Sequence, residues 1–128
     1  MSEQDYKVID AVVNIWTAEA LSHRPGWTDE FFLDKVKGKH SSGGVSLEAM
    51  LEQMDEAGIE RGFLVAAKSG RPGLPGSYHM PPEVVADAVK QYPDRFYGLV
   101  GIDPYQGMTG VRAMEYAVKE LGFIGAHL

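Results

Sequence analysis

The sequence has no cysteine. A disulfide framework and thiolate chemistry are therefore excluded, and a metal would have to be held by His, Asp, Glu or carbonyl oxygen. Positive charge is scarce: 12 Lys and Arg stand against 18 Asp and Glu, for a net charge of -6. That balance lacks the basic footprint that nucleic acid or an anionic membrane surface requires. No apolar run approaches the ~20 residues of a membrane span. The start, Met1-Ser-Glu-Gln-Asp5, is acidic and unlike the basic opening of a signal peptide, so a cytoplasmic location is expected. With 128 residues, 45% apolar and 23% charged, the chain has the composition and length of one globular domain.

What is present is organised around Lys7-Val-Ile-Asp-Ala-Val-Val-Asn-Ile-Trp-Thr17. Val8, Ile9, Val12, Val13 and Ile15 leave little alternation, which predicts a parallel strand covered on both faces. Asn14, Trp16 and Thr17 then stand at its carboxyl end, where parallel α/β sheets place their ligands. Asp10, inside the run, needs a hydrogen-bond or ionic partner and is expected to support the strand end. A long first loop, 17–45, follows. It contains Arg24-Pro-Gly-Trp27 and a short helix expected from Thr28 or Asp29, with Phe31, Phe32 and Val36 inward. Connections of this length are more often lids than plain linkers, which leaves Arg24 and Trp27 as lid candidates. His23 and His40, without partners at ligand spacing, read as surface residues, and the Lys35–Lys39 cluster reads as a solvated helix end.

Ser46 caps a helix over Leu47–Ala57 whose Leu47, Met50, Leu51 and Met54 face a sheet, and Gly58 stops it. Gly62–Ala67 is a second buried strand. The Lys68–Met80 loop is shaped by its Gly and Pro residues without regular structure, and it lacks the Gly-Lys-Ser/Thr ending of a phosphate loop. Pro81 and Pro82 open a helix over Glu83–Tyr92, and Pro93 stops it. Phe96–Ile102 is a third strand ending in Asp103-Pro104. A third helix, Thr109–Leu121, is expected to bury Val111, Met114, Ala117, Val118 and Leu121, and Phe123–Leu128 begins a fourth strand.

Helical crossovers between the strands predict a parallel sheet in one α/β domain, 1–128. The fourth strand ends on an unpaired apolar edge, so the units are expected to belong to a larger (β/α) barrel or to pair with another copy, as a homo-oligomer.

The strand Ile9-Asp10-Ala11-Val12-Val13-Asn14, the segment Leu51-Glu-Gln-Met-Asp-Glu-Ala-Gly58, Tyr92-Pro-Asp-Arg-Phe96 and Leu121-Gly-Phe-Ile-Gly125 come in an order and spacing that carries a resemblance. Together they resemble the amidohydrolase superfamily, in its amidohydrolase-related branch of aminocarboxymuconate-semialdehyde-decarboxylase-like enzymes. The resemblance implies the first half of a TIM-type (β/α)8 barrel, a fold of about 250 residues. It also implies hydrolysis or decarboxylation at a divalent metal such as zinc, held by two strand-one histidines and later His and Asp residues. Val12 and Asn14 occupy those two histidine positions. Valine has no donor atom and a neutral amide oxygen is a poor replacement for imidazole, so no metal is carried over.

Under the barrel reading, Asn14, Trp16, Lys68, Asp103 and His127 stand at strand carboxyl ends. His127 and Asp103 are the acid–base candidates, with a structural histidine and a turn-capping carboxylate as the plain alternatives. Lys68, Arg71 and His79 gather positive charge in an acidic chain. With Trp16 and Tyr78 they suit an aromatic or unsaturated small carboxylate. The function expected is a barrel enzyme acting on such a carboxylate. The competing expectation is a non-catalytic binding or self-assembling module that has lost the metal site.

Overall fold

The computed structural model describes residues 6–25, 43–71 and 73–128. Trp27, His40, the Lys35–Lys39 cluster and the short helix expected after Thr28 lie outside the described residues. The elements run β1 (Val8–Val13), α1 (Ala18–Ser22), α2 (Leu47–Glu56), β2 (Ile59–Ala66), β3 (Lys68–Ser69), β4 (Tyr78–His79), α3 (Pro82–Gln91), β5 (Phe96–Gly101), α4 (Met108–Lys119) and β6 (Gly125–His127). A 3-10 turn at Pro104–Gln106 separates β5 from α4.

The helix starts follow local chemistry. Ser46 Oγ accepts the Ala49 N–H at 3.1 Å, and Pro82 supplies a preset φ where no N–H is needed. Gly58 ends α2 at φ 70°, in the left-handed region. Gly62, next to β1, lets Val13 close on β2: an added Cβ would lie 2.8 Å from Val13 Cγ2.

β1, β2, β5 and β6 form one sheet in that order, with every pairing parallel. This curled four-stranded sheet with its helices is the first half of a TIM-type barrel, as expected. Leu64, Ala66, Phe96 and Val100 point to the helices and meet Met50, Met54, Val84, Val85 and Ala88. Each fully buried side chain of this size contributes about 1.5–3 kcal/mol. The opposite sheet face carries Phe63 edge-on to Tyr97 at 5.6 Å and Arg61 over the Tyr97 ring at 4.9 Å, all three partly open. At the amino-terminal end, Arg95 ties β2 down, donating through Nε to Glu60 O at 2.8 Å and through Nη2 to Asp55 Oδ1 at 2.6 Å.

Four expectations change. β1 is not covered on both faces: Val8, Ile9 and Val12 are 45%, 49% and 55% exposed, and among the described residues β1 is an edge strand paired with β2 alone. The first loop opens with a helix, α1, because Thr17 Oγ1 accepts the Ala20 N–H at 3.2 Å and so caps it. The Lys68–Met80 segment contains a small antiparallel ladder, Lys68 opposite His79 and Ser69 opposite Tyr78. In α4, Val111 and Val118 are exposed and only Gly110 and Ala117 are fully buried. That helix lies along the β6 margin of the sheet, which covers a narrower stripe of it.

Asp10 finds its partner within its own strand. Its Oδ1 accepts the Val12 N–H at 3.1 Å where the pairing with β2 slips register between Asp10 and Val13. The ends of the first loop meet, since Val45 N donates to Trp16 O at 2.8 Å.

Candidate functional site

A cavity of about 450 Å3 opens at the carboxyl ends of β2, β5 and β6. Lys68, Gly70, Arg71, Ile102, Asp103, Pro104, Tyr105 and Leu128 line it. Lys68 opens β3 two residues past the end of β2, Arg71 lies in the hairpin turn beyond it, and Asp103 stands at the exit of β5. Their meeting depends on Gly101. A Cβ there would lie 2.3 Å from Ala66 O and 2.6 Å from Lys68 N, so only glycine lets the ends of β2 and β5 approach this closely.

Asp103 has a structural task as well. Its Oδ1 accepts the Tyr105 N–H at 2.9 Å and caps the 3-10 turn, which fixes the carboxylate at the cavity wall. Two cations line the same cavity. Lys68 is partly buried and Arg71 exposed, and neither forms a salt bridge among the described residues. A carboxylate entering there would meet two unneutralised cations.

The expected convergence is only partial. Lys68, Arg71 and Asp103 come together. His127 pairs with Gly101 across the β5–β6 ladder and its carbonyl accepts the Ile102 N–H at 2.9 Å, but it does not line the cavity. A three-residue strand at the margin of the sheet carries it beside the mouth. His79 leans on the hairpin instead, with Nε2 3.3 Å from Gly70 O. Asn14 is exposed at the end of the edge strand β1. Trp16 belongs to a second cluster, where the Arg24 guanidinium carbon lies 4.1 Å from the Trp16 ring centroid and 4.9 Å from that of Tyr78. Burial pulls the Arg24 pKa down, partly offset by Tyr78, and pushes the Tyr78 hydroxyl up, partly offset by Arg24. Tyr105, Ile102 and Leu128 carried no sequence signal as lining residues, because nothing local marks the wall of a cavity formed by three separated strands.

No known sequence family matches the chain, and no curated protein is significantly similar to it. Solved structures do resemble it. A dihydroxybenzoic acid decarboxylase from a Polaromonas species, with bound manganese and 2-nitroresorcinol, matches at TM-score 0.63 and 26% identity, over 94% of this chain and 37% of that one. The 5-carboxyvanillate decarboxylase of Novosphingobium aromaticivorans, with manganese and a nitrobenzoic acid, matches at TM-score 0.64 and 21% identity, over 98% of this chain and 42% of that one. An uncharacterised TIM-barrel protein of Bordetella bronchiseptica matches at 0.61 and 22%, over 92% and 42%. The two decarboxylases are amidohydrolase-related barrel enzymes, and the chain has the fold of the amino-terminal part of such a barrel. It spans about two-fifths of the length of the structures it resembles. No helix among the described residues is long and apolar enough to cross a membrane.

The manganese of the two decarboxylases poses a test for this chain. Val12 offers no donor and Asn14 only a neutral amide, and no group of three or more His, Asp or Glu among the described residues is placed to hold an ion. The described residues do not fit a divalent metal at the strand-one position.

Proposed function

We propose that the chain forms the carboxylate-binding wall of an amidohydrolase-related enzyme that acts on a small aromatic or unsaturated carboxylate, with decarboxylation as the favoured chemistry and hydrolysis as the alternative. The observation that carries this reading is the cavity in which Lys68 and Arg71 face Asp103 at the ends of parallel strands. Two cations without salt-bridge partners among the described residues provide charge for a carboxylate, and Tyr105 and Ile102 line the cavity beside them. The decarboxylase chemistry of several structural neighbours supports the reaction class.

In a decarboxylation the bond between the ring carbon and the carboxyl carbon breaks, CO2 leaves, and the electron pair stays on the ring carbon, which then takes a proton. Asp103, fixed by its turn, and His127 beside the mouth are the proposed groups that hold and deliver that proton. No step is assigned to a metal. Self-association, through the partly open sheet face of Arg61, Phe63 and Tyr97, belongs to the same reading.

A second reading rests on Val12 and Asn14: the barrel scaffold binds a small acid without turnover. Titration with benzoate separates the possibilities. Each of Lys68→Met and Arg71→Met is expected to weaken benzoate binding by about tenfold or more, the loss of a charge-assisted contact. Benzoate affinity unchanged in both variants would remove the cavity as the binding site. Binding retained with no release of CO2 from any hydroxybenzoate tested would favour the module without turnover.

A further inference from the structure

Arg24 is a cation held against two rings, with no ion-pair partner among the described residues. Its guanidinium lies over Trp16 and over Tyr78, at 4.1 and 4.9 Å. Contact through ring faces engages the charge but uses none of the five in-plane N–H donors. Among the described residues no carboxylate forms a salt bridge with Arg24, and its buried Nε has no hydrogen-bond partner. A buried donor left unmade is costly, and a guanidinium is the side chain best shaped to take a carboxylate through two parallel bonds.

The supports are well anchored. Trp16 is fixed by the Val45 N–H donating to its carbonyl, and Arg24 by the end of α1, where its own N–H donates to Leu21 O at 3.0 Å. Tyr78 is held in the β3–β4 ladder opposite Ser69, followed by Met80 donating to Ala67 O at 2.9 Å. Side chains alternate along a strand, so Ser69 and Tyr78 share one face of that ladder while Lys68 and His79 share the other. Arg24 therefore sits on the opposite side of the hairpin from the Lys68 cavity.

We infer that Arg24, with Trp16 and Tyr78, forms a second anion subsite, separate from the Lys68–Arg71–Asp103 cavity, that takes the carboxylate of a small free acid through the guanidinium edge. The rings hold the cation in one orientation before the ligand arrives, which lowers the entropy that binding must overcome. The subsite stands on its own geometry and does not require the cavity to be catalytic.

The test is a titration of the 15N-labelled chain with sodium benzoate, read on the Arg24 side-chain Nε–H and the Trp16 indole N–H, with benzyl alcohol as the uncharged control. Arg24→Lys assigns the first signal by its disappearance, and Trp27→Phe leaves the indole of Trp16. In the wild-type chain both signals should move saturably with benzoate and stay still with benzyl alcohol. In Arg24→Lys, which keeps the charge and loses the fork, the Trp16 titration should shift to about tenfold higher benzoate. An Arg24 Nε–H that does not move as benzoate saturates the chain overturns the inference. Wild-type benzoate affinity at Trp16 in Arg24→Lys overturns it too. In Lys68→Met the Arg24 shift should persist, and its loss there would overturn the separation of the two sites. If benzoate moves Arg24 while Lys68→Met and Arg71→Met leave all binding intact, the subsite stands and the cavity reading falls.

Discussion

Gly101→Ala tests the contact on which the cavity depends. The added methyl would lie 2.3 Å from Ala66 O and 2.6 Å from Lys68 N, where ordinary contact begins at 3.4 Å. Both neighbours are backbone, so no rotamer change relieves the overlap, and the ends of β2 and β5 must part by about 1 Å. Overpacking of this kind costs about 1–3 kcal/mol. The movement also strains the pairings Ala66–Val100 and Gly101–His127, at about 1 kcal/mol for a ladder bond lost. The expected total is about 3 kcal/mol, which in a domain of this size lowers Tm by roughly 12 °C. Gly58→Ala is the control. Gly58 has φ 70° but nothing within 4 Å of the added methyl, so only the backbone conformation is penalised, by about 1–2 kcal/mol. Thermal unfolding followed by circular dichroism compares the two. A Gly101→Ala chain no less stable than Gly58→Ala would refute the close approach of the two strand ends. Benzoate binding should weaken as well, since the Lys68 backbone moves away from Asp103.

Arg95→Met should cost about 2–3 kcal/mol in urea unfolding, because it removes donors from the Glu60 and Ile59 carbonyls, whereas Asp55→Asn should cost under about 1 kcal/mol, its carboxylate being largely exposed. Equal losses in the two variants would assign the stabilisation to the ion pair. Tyr92 donates to Glu48 Oε1 at 2.7 Å, and this bond is the main cause holding the Glu48 pKa below the usual carboxylate value. A folded-state pKa that is depressed contributes stability above the unfolded value, and that contribution is lost as pH falls through the folded one. The wild-type chain should therefore lose more stability on acidification below the ordinary carboxylate range than Tyr92→Phe does, as read from Tm at pH 7 and at pH 3; parallel losses would contradict it.

Much of the architecture was legible along the chain because it is written in local chemistry. The Ser46 cap, the Gly58 stop, the Pro81-Pro82 start and the apolar runs of β2 and β5 each act over a few residues, and the helical crossovers then require parallel strands. The capping role weighed for Asp103 was equally local, since a side chain that accepts from the residue two ahead needs no tertiary partner.

Other features could not be read that way. The apolar sequence of β1 is the same whether a strand is central or at an edge, so the exposure of Val8, Ile9 and Val12 follows from sheet order alone. The register of the small β3–β4 ladder decides that Lys68 and Tyr78 face opposite ways, which separates two groups that composition had placed together. By itself, the sequence determined the three longer helices and the parallel strands, because these depend on residue type and short-range spacing, and its resemblance to a family pointed to the barrel class and to the absence of imidazole at positions 12 and 14. Only the tertiary structure decided that Lys68, Arg71 and Asp103 share one cavity, that His127 stands beside it, and that Arg24 lies across Trp16 and Tyr78. Those neighbours are distant in sequence, and their meeting depends on strand order, register and the absence of a side chain at Gly101.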